Sequence, residues 1–268
     1  MKLKDFFSQH VVFTVEELDD FLAGKDSINR RTRNALLAYH RQQGRILSVR
    51  RGLYAIVPPG MLPGSSPIDP YLLAAKMSKD AVLAYHTALE FYGKAYSIYE
   101  QFYYLAKRKS LPVNFRSYEF RSVLIPKTLR DKQKENFGVN RAERGGVDVR
   151  VTSLERTLVD VLDKPDLCGG WEEIWRSLES VEFFDLDKVV EYTLYLGNST
   201  TVAKVGFFLE QHRDALMVEN AHLKSLRERK PRMPHYLDRS NRQKGRLVSD
   251  WNLVVPVAVL ERSWAEVT

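Results

Sequence analysis

The sequence predicts an α+β protein in which a small N-terminal domain precedes a larger mixed domain. Two observations predict this class. Helical periodicity at the start of the chain ends in a short hairpin pattern, and farther on several strand-like segments are grouped before a series of helices. Grouped strands and helices are typical of α+β folds, whereas parallel α/β sheets alternate the two. Hydrophobic residues make up 44% and charged residues 28% of the chain, which excludes a wholly disordered protein.

The first predicted helix begins at a capping box, Thr14-Val-Glu-Glu17, and runs to about Ala23. In such a box the threonine hydroxyl and the glutamate carboxylate each accept a hydrogen bond from the other residue's backbone N–H. A turn at Gly24–Ser27 leads to a second helix from about Ile28 to Gln43. Gly44 ends this helix, because glycine readily takes the left-handed conformation found at helix C-termini.

At 100° per residue, the second helix has two faces. The face predicted to enter the core carries Ile28, Thr32, Ala35, Leu36 and Tyr39. The opposite, cationic face carries Arg30, Arg33, Asn34, Leu37 and Arg41. Leu37 is the exception on the cationic face, and we expect it to pack against the following linker rather than to contact a thymine methyl group.

Two short β-branched and aromatic segments follow, at 45–50 and 53–57, joined by Arg51-Gly52. They predict a β-hairpin with Arg50 and Arg51 at its tip. Helices, a turn, a basic helix and a hairpin form the layout of a winged helix-turn-helix. In that class the second helix enters the major groove of DNA and the hairpin, called the wing, touches phosphates.

The net charge of the protein comes from this region. The chain has 41 Lys and Arg against 34 Asp and Glu, a net charge of +7, and the segment from Lys25 to Arg51 holds eight basic residues and one acidic residue, which accounts for all of it. Arginine donates two parallel hydrogen bonds to guanine, and asparagine reads adenine in a similar way. The predicted DNA-binding residues are Arg30, Arg31, Arg33, Asn34, Arg41, Arg45, Arg50 and Arg51.

The sequence from Pro58 to Pro67 predicts an extended linker, because its prolines and glycines interrupt regular structure. We therefore expect two domains, residues 1–60 and 68–268. The larger domain is predicted to open with helices at 70–77, capped by Asp69, and at 81–92. Strands are expected at 101–106, 118–125, 137–141 and 147–152. A second capping box, Thr152-Ser-Leu-Glu155, opens a further helix, and helices at 171–180, 186–196, 200–212 and 220–229 precede a last strand at 251–255.

The usual motifs of catalysis and cofactor binding are absent. The sequence lacks GxxxxGK[ST], GxGxxG, HExxH and GxSxG, so we expect no enzymatic activity, no cofactor and no metal. His86 and Glu90 have the i, i+4 spacing of a helix and are predicted to make a structural contact. Glu155 and Arg156 are expected to act as a capping carboxylate and a salt-bridging arginine.

Two alternatives stay open for the larger domain. Asp148-Val-Arg150 on a strand has a weak likeness to the acidic-x-lysine element of restriction-type nucleases. The aromatic stretch from Phe91 to Tyr104, with the basic stretches 107–134 and 224–246, suits docking of a protein or an RNA. The lone cysteine, Cys168, excludes an internal disulfide and predicts a buried thiol.

The sequence also predicts a cytoplasmic protein. Its apolar runs fall short of the roughly 18 to 20 residues that a membrane span needs. The N-terminus has basic residues but lacks the continuous apolar segment and small-residue cleavage site of a secretory signal.

Several motifs occur in a recognisable order along the chain. They are Thr14-Val-Glu-Glu-Leu18, Gly44-Arg-Ile46, Val49-Arg-Arg-Gly-Leu-Tyr-Ala55, Leu83-Ala-Tyr-His-Thr-Ala-Leu-Glu-Phe-Tyr-Gly93, Val151-Thr-Ser-Leu-Glu-Arg-Thr-Leu-Val-Asp160 and Trp251-Asn-Leu-Val-Val255. In the first three the sequence resembles the winged-helix domain of the AbiEi antitoxins, and the last three are similar to segments of that family's C-terminal domain.

The resemblance implies a component of a bacterial type IV toxin–antitoxin system, a class linked to phage defence. Members of the family repress their own operon by binding inverted repeats in double-stranded promoter DNA, and they neutralise a nucleotidyltransferase toxin encoded alongside. Whether the toxin is contacted directly is left open. By motif position, the implied DNA contacts are Arg30, Arg31, Arg33, Asn34, Arg50 and Arg51, and no catalytic residue is implied.

Overall fold

The structure is a computed structural model that describes residues 3–23, 29–238 and 245–264. The chain divides into two compact units: the first consists of Met1–Leu83, Glu100–Ser122 and Arg141–Arg150, and the second of Ala84–Tyr99, Val123–Asn140 and Val151–Thr268. Helices and strands occur in a mixed order, and the predicted α+β class is confirmed. The first unit extends past the predicted linker, and the assignment of separate functions to residues 1–60 and 68–268 stays a prediction.

The N-terminal part of the first unit contains three helices and a three-stranded sheet. Its elements are α1 (Leu3–Gln9), β1 (Val12–Thr14), α2 (Val15–Ala23), α3 (Arg30–Gln42), β2 (Ile46–Arg50) and β3 (Leu53–Ile56). The strands are antiparallel, in the order β1-β3-β2. We call residues 3–57 the N-terminal region. The positions of the predicted turn, Gly24–Ser27, and of the predicted helix start, Ile28, lie outside the described residues.

The capping box at the start of α2 is confirmed. The backbone N–H of Thr14 donates to Glu17 Oε2 at 2.7 Å, and the N–H of Glu17 donates to Thr14 Oγ1 at 3.3 Å. These bonds satisfy two donors that a helix N-terminus otherwise leaves unpaired. Glu17 also pairs with Lys76, and the hydrogen bonds lower the pKa of its carboxyl although burial alone would raise it.

The rest of the first unit is built on a six-stranded sheet. It is preceded by α4 (Pro70–Ala75), and its strands are β4 (Val82–Leu83), β5 (Gln101–Ala106), β6 (Val113–Phe115), β7 (Tyr118–Leu124), β8 (Val139–Arg144) and β9 (Val147–Thr152), in the order β6-β7-β5-β4-β9-β8. The side chain of Asp69 caps α4 by accepting from Tyr71 N at 2.9 Å, as predicted. Arg116 holds the linker by donating to the carbonyls of Ser66 and Pro63, at 2.6 and 2.7 Å.

The predicted helix at 81–92 is only partly correct. Val82 and Leu83 form β4, which pairs with β5, and the helix is the shorter α5 (His86–Phe91). The change of direction occurs at Tyr85, whose φ is +57°. Residues 81–84 are all buried, and a short apolar run of this kind fits a buried strand as well as a helix, so periodicity could not separate the two.

The second unit is largely helical. After α5 it contains α6 (Lys127–Asp131), α7 (Leu154–Asp163), a 3-10 turn (Pro165–Leu167), α8 (Trp171–Glu179), α9 (Leu186–Leu196), α10 (Ser199–Gln211), α11 (Asn220–Arg227) and α12 (Val257–Glu261). Its small sheet has β12 (Leu253–Pro256) between β10 (His235–Tyr236) and β11 (Gly245–Val248). The predictions of α8 to α11 are confirmed to within two residues at each end.

A buried ion pair lies at the start of α7. Arg156 Nε lies 3.2 Å from Asp160 Oδ2, and the two side chains are 1% and 4% exposed. Arg156 also donates to the carbonyl of Phe137 at 2.6 Å, and the hydroxyl of Tyr192 donates to Asp160 Oδ1 at 2.7 Å. The predicted salt bridge of Arg156 is confirmed, and burial raises the pKa of Asp160 despite these partners.

The predicted capping box at Thr152 is wrong. The N-cap of α7 is Ser153, whose hydroxyl accepts from Arg156 N, and the carboxylate of Glu155 accepts from Asp185 N at 3.4 Å instead of closing a box. Thr152 is buried, and its hydroxyl lies 2.8 Å from that of Thr157. Both Thr152 and Ser153 are good cap residues, and the tertiary partner of Thr152 decides between them.

A second buried polar cluster surrounds His86. Its ring nitrogens lie 3.2 Å from Glu90 Oε1 and 3.1 Å from Glu173 Oε1, which confirms the predicted contact between His86 and Glu90. Glu173 accepts from the backbone N–H groups of Tyr96 and Ser97, at 3.1 and 3.0 Å. Burial raises the pKa of Glu173, but the hydrogen bonds outweigh it and bring the pKa below its ordinary value. In the described part of the chain, no group of three His, Cys, Asp or Glu side chains is arranged to hold a metal.

Two further sequence expectations concern the burial of Cys168 and the presence of membrane-spanning helices. Cys168 is fully buried, as predicted, and burial raises the pKa of its thiol well above the usual value. Within the described residues, the helices are too short or too polar to cross a membrane.

Candidate nucleic-acid interface

Helix α3 begins at an asparagine cap. Asn29 Oδ1 accepts from the backbone N–H of Arg31 at 2.8 Å, and the helix then runs from Arg30 to Gln42. Gly44 follows with φ of +67°, and a Cβ there would lie 3.0 Å from the ring of Pro63. Glycine is therefore favoured at this position, because a side chain would strain the backbone and crowd the linker.

The buried face of α3 differs from the prediction. Leu37 is 6% exposed and packs with Phe6, Phe13 and Leu18, whereas Tyr39 is 51% exposed. Thr32 and Ala35, which were also predicted to face the core, are exposed. The physical reason lies in which side chain, that of Leu37 or that of Tyr39, gains more free energy by entering the core. A buried leucine gains about 1.5 to 3 kcal/mol over an exposed one, whereas a tyrosine keeps its hydroxyl in water at little cost.

The same result settles the environment of Leu37. The side chain packs in the core, as expected, but its neighbours are α1, β1 and α2 rather than the linker. Leu37 therefore holds α3 against the rest of the N-terminal region.

The exposed face of α3 carries a set of cationic and small residues. Its exposed members are Arg30, Arg31, Asn34, Ala35, Ala38 and Arg41. We call this set the α3 face. The two alanines have the shortest side chains on it, so the helix backbone between the arginines can come close to an opposing surface. An opposing surface that carries negative charge would meet three guanidinium groups and one side-chain amide.

Arg33, in contrast, is held within the protein. Its Nη1 lies 2.5 Å from Asp19 Oδ2 on α2, and its side chain is 14% exposed. Its Nε and Nη2 donate to Asn34 Oδ1 at 3.3 and 3.2 Å. Asp19 did not emerge from the sequence as a site residue, because an ion pair between two helices leaves no local spacing signal.

The wing is fixed to α2 through its turn. Gly52 has φ of +82°, and its carbonyl accepts from the N–H of Val15, the first residue of α2, at 2.9 Å. Arg51 is exposed at the tip. Arg50 turns back into the first unit, where it donates to the carbonyl of Met77 at 2.5 Å and to that of Arg51 at 3.2 Å.

A groove of about 570 Å³ separates α3 from the wing turn. The side chains of Arg30, Asn34 and Arg51 line it, together with those of Glu16 and Asp19. Thus α3 and the wing contribute to one continuous surface. The acidic residues on the α2 side reduce its charge there, so the cationic character is greatest at the other arginines of the α3 face.

Arg41 and Arg45 lie toward the C-terminal end of the helix. Both are exposed, and the Arg45 guanidinium carbon is 5.9 Å from the centroid of the Tyr39 ring. His40, on the opposite side of α3, is buried, and both this burial and the charge of Arg45 lower its pKa. His40 is therefore neutral at pH 7, and the charge of this end comes from the two arginines.

Of the eight predicted DNA-binding residues, six are exposed in the N-terminal region: Arg30, Arg31, Asn34, Arg41, Arg45 and Arg51. Arg33 and Arg50 are engaged in contacts within the first unit. These positions show which side chains are accessible. Their contacts with DNA stay a prediction.

The three helices with the β1-β3-β2 sheet make the N-terminal region a winged helix-turn-helix. Residues 1–57 match a family model described as "Transcriptional regulator, AbiEi antitoxin", and this match confirms the predicted resemblance for the N-terminal region. No curated protein matches the chain.

The fold of nearly the whole chain is similar to a solved structure, the crystal structure of the RV2827C protein from Mycobacterium tuberculosis. The TM-score is 0.65, the sequence identity is 19%, and the match covers 98% of this chain and 93% of that one. At this identity the similarity shows a shared fold, which extends through both compact units.

Proposed function

We propose that this protein is the antitoxin of a bacterial type IV toxin–antitoxin system and represses its own operon. In this proposal the winged helix-turn-helix binds inverted repeats in the promoter, and residues 68–268 counter a nucleotidyltransferase toxin. The match of residues 1–57 to AbiEi antitoxin regulators supports the proposal. Both activities belong in the cytoplasm, where the promoter and the toxin are found.

The observation that carries the DNA-binding part is the α3 face. Three arginines and Asn34 are exposed on one side of a helix whose other side is packed in the core. Arginine neutralises phosphates and releases their counterions, while arginine and asparagine also read base edges in the major groove. Exposed Arg51 on the wing supplies a second contact with the backbone of the duplex.

The experiment is a gel shift and footprint of the full-length protein on the DNA upstream of its own gene. Binding is measured from 50 to 200 mM salt against a scrambled duplex. We expect a discrete protected inverted repeat and an affinity that falls steeply with salt. Binding that is absent, or equal for both duplexes, would contradict the repressor proposal.

The antitoxin part needs a separate measurement. A full-length variant with Arg30→Ala, Arg31→Ala and Asn34→Ala is expected to lose operator binding but to relieve the growth arrest caused by the co-expressed toxin. The full chain is preferable to a fragment, because the first compact unit continues past residue 60. If the variant is folded and toxicity persists, the proposed division of labour is wrong.

A further inference from the structure

The contacts of Arg33 suggest a role different from that of its neighbours. Arg30 and Arg31 are exposed, but the Arg33 side chain is 14% exposed and donates to two residues, Asp19 and Asn34. Its charge is offset by the Asp19 carboxylate 2.5 Å away. A guanidinium that is already neutralised by a carboxylate releases few counterions from DNA.

The bonds to Asn34 have a directional consequence. Guanidinium nitrogens only donate, so the Asn34 atom that faces Arg33 must be its oxygen. A 180° rotation of the amide would place its NH₂ group against the donors of Arg33. Arg33 therefore admits one orientation of the Asn34 amide, with the NH₂ group pointing away from the guanidinium.

That orientation matters for base recognition. An asparagine that reads adenine accepts from N6 through its oxygen and donates to N7 through its NH₂ group. The amide oxygen has two lone pairs, so it can keep one of its two Arg33 donors and accept from a base with the other lone pair. An amide held in one orientation before binding loses less conformational entropy on contact with DNA.

We propose that Arg33 is a positioning residue that orients Asn34 for adenine recognition, and that Asp19 holds Arg33 in place for this task. The inference rests on the proposed DNA-binding function. It assigns base specificity to a chain of three residues, from Asp19 on α2 through Arg33 to Asn34 on the surface of α3. Arg33 itself need not touch DNA.

The test measures base preference and salt dependence together. Wild type and the variants Asn34→Ala, Arg33→Ala, Arg33→Lys and Asp19→Asn are titrated with operator duplexes in which each position is changed in turn. We expect Arg33→Ala to lose preference at the same base pair as Asn34→Ala, with a roughly 5- to 100-fold weaker binding of the operator. The double variant Arg33→Ala/Asn34→Ala is expected to bind the operator no more weakly than Asn34→Ala alone, because both changes remove the same interaction.

The salt slope separates positioning from phosphate binding. Arg33→Ala is expected to keep the wild-type slope, whereas the matched variant Arg31→Ala is expected to lower it by about 0.9. Arg33→Lys still pairs with Asp19 but offers Asn34 a single donor group, so it should show a smaller loss of preference at the same base pair. Asp19→Asn provides a second route to the same loss if Arg33→Ala does not fold.

The outcomes distinguish this inference from the function on which it rests. A lower salt slope with unchanged base preference in the Arg33 variants, or additive effects in the double variant, would overturn the positioning role alone. If the wild type shows no base preference at all, the proposed DNA-binding function is overturned and the inference with it.

Discussion

Arginine side chains have opposite environments in the N-terminal region and in the second compact unit. Arg30, Arg31 and Arg41 are exposed on one face of α3, where an external partner can reach them. Arg156 is 1% exposed, and its guanidinium donates hydrogen bonds to Asp160 and to backbone carbonyls. The difference teaches that a basic residue indicates binding only when its partners inside the fold are known. Arg33 and Arg50 lie between the two extremes.

The largest expected effect concerns the buried pair. Arg156→Ala leaves the Asp160 carboxylate buried without its cation, and we expect a loss of about 3 to 5 kcal/mol in the free energy of unfolding. Urea unfolding followed by tryptophan fluorescence measures it. A loss below about 1 kcal/mol would mean that water reaches Asp160, and the contrast with the exposed arginines would break down.

A smaller effect is expected at a second buried carboxylate, Glu173. Glu173→Gln should cost about 2 kcal/mol at pH 7, because the hydrogen bonds from Tyr96 and Ser97 lose a charged acceptor. The folded-state pKa of Glu173 is lowered, so its contribution is present above the unfolded-state pKa and is lost as the pH falls through the folded one.

Unfolding experiments between pH 7 and pH 3 check this sign. The wild type is expected to lose stability more steeply with acid than Glu173→Gln. Glu182→Gln, at an exposed position, serves as the control and should follow the wild-type curve. Equal curves for all three proteins would remove Glu173 from the acid response.

The wing allows the same comparison between two neighbouring arginines, the engaged Arg50 and the exposed Arg51. Arg50→Ala removes the hydrogen bonds to the carbonyls of Met77 and Arg51, and we expect a loss of about 1 kcal/mol in stability. Arg51→Ala should leave stability unchanged and weaken operator binding. Thermal unfolding and gel shifts of the two variants give the answer, and a reversed pattern would show that the exposed wing residue is the structural one.

The smallest effect on stability is expected on the α3 face. Arg31→Ala should change the free energy of unfolding by less than about 0.5 kcal/mol, because the side chain is exposed. Its effect should appear in the binding assay, where the salt slope falls by about 0.9 for one lost phosphate contact. A marked loss of stability with an unchanged salt slope would show that Arg31 is a structural arginine, like Arg156, and not a DNA-binding one.

The sequence predicted best where the signal is local. The capping box at Thr14, the cap at Asp69 and the bounds of α9 are confirmed, since each depends on residues within a few positions of one another. The α+β class followed from the order of the elements. The existence and length of α3 were also well predicted, as they rest on a long periodic segment that ends at Gly44.

The errors have a common physical origin in long-range contacts. The phase of α3 depends on which side chain fits the cluster around Phe6, and β4 depends on its pairing with β5. The roles of Arg33 and Arg50 depend on Asp19 and Met77, which lie 14 and 27 residues away in sequence. Local patterns identified the right region of the candidate site, but could not divide its arginines into accessible and engaged ones.

The discontinuity of the first unit has a consequence for synthesis of the protein. The chain alternates between the units in six segments, and the first unit is complete only when residue 150 has been made. At about 5 to 20 residues per second, the ribosome needs roughly 3 to 13 s to go from Leu83 to that point. During this interval β4 lacks its neighbour β9, whereas every strand of the β1-β3-β2 sheet has already been translated. A nascent chain can thus form the winged helix-turn-helix well before the rest of its own unit.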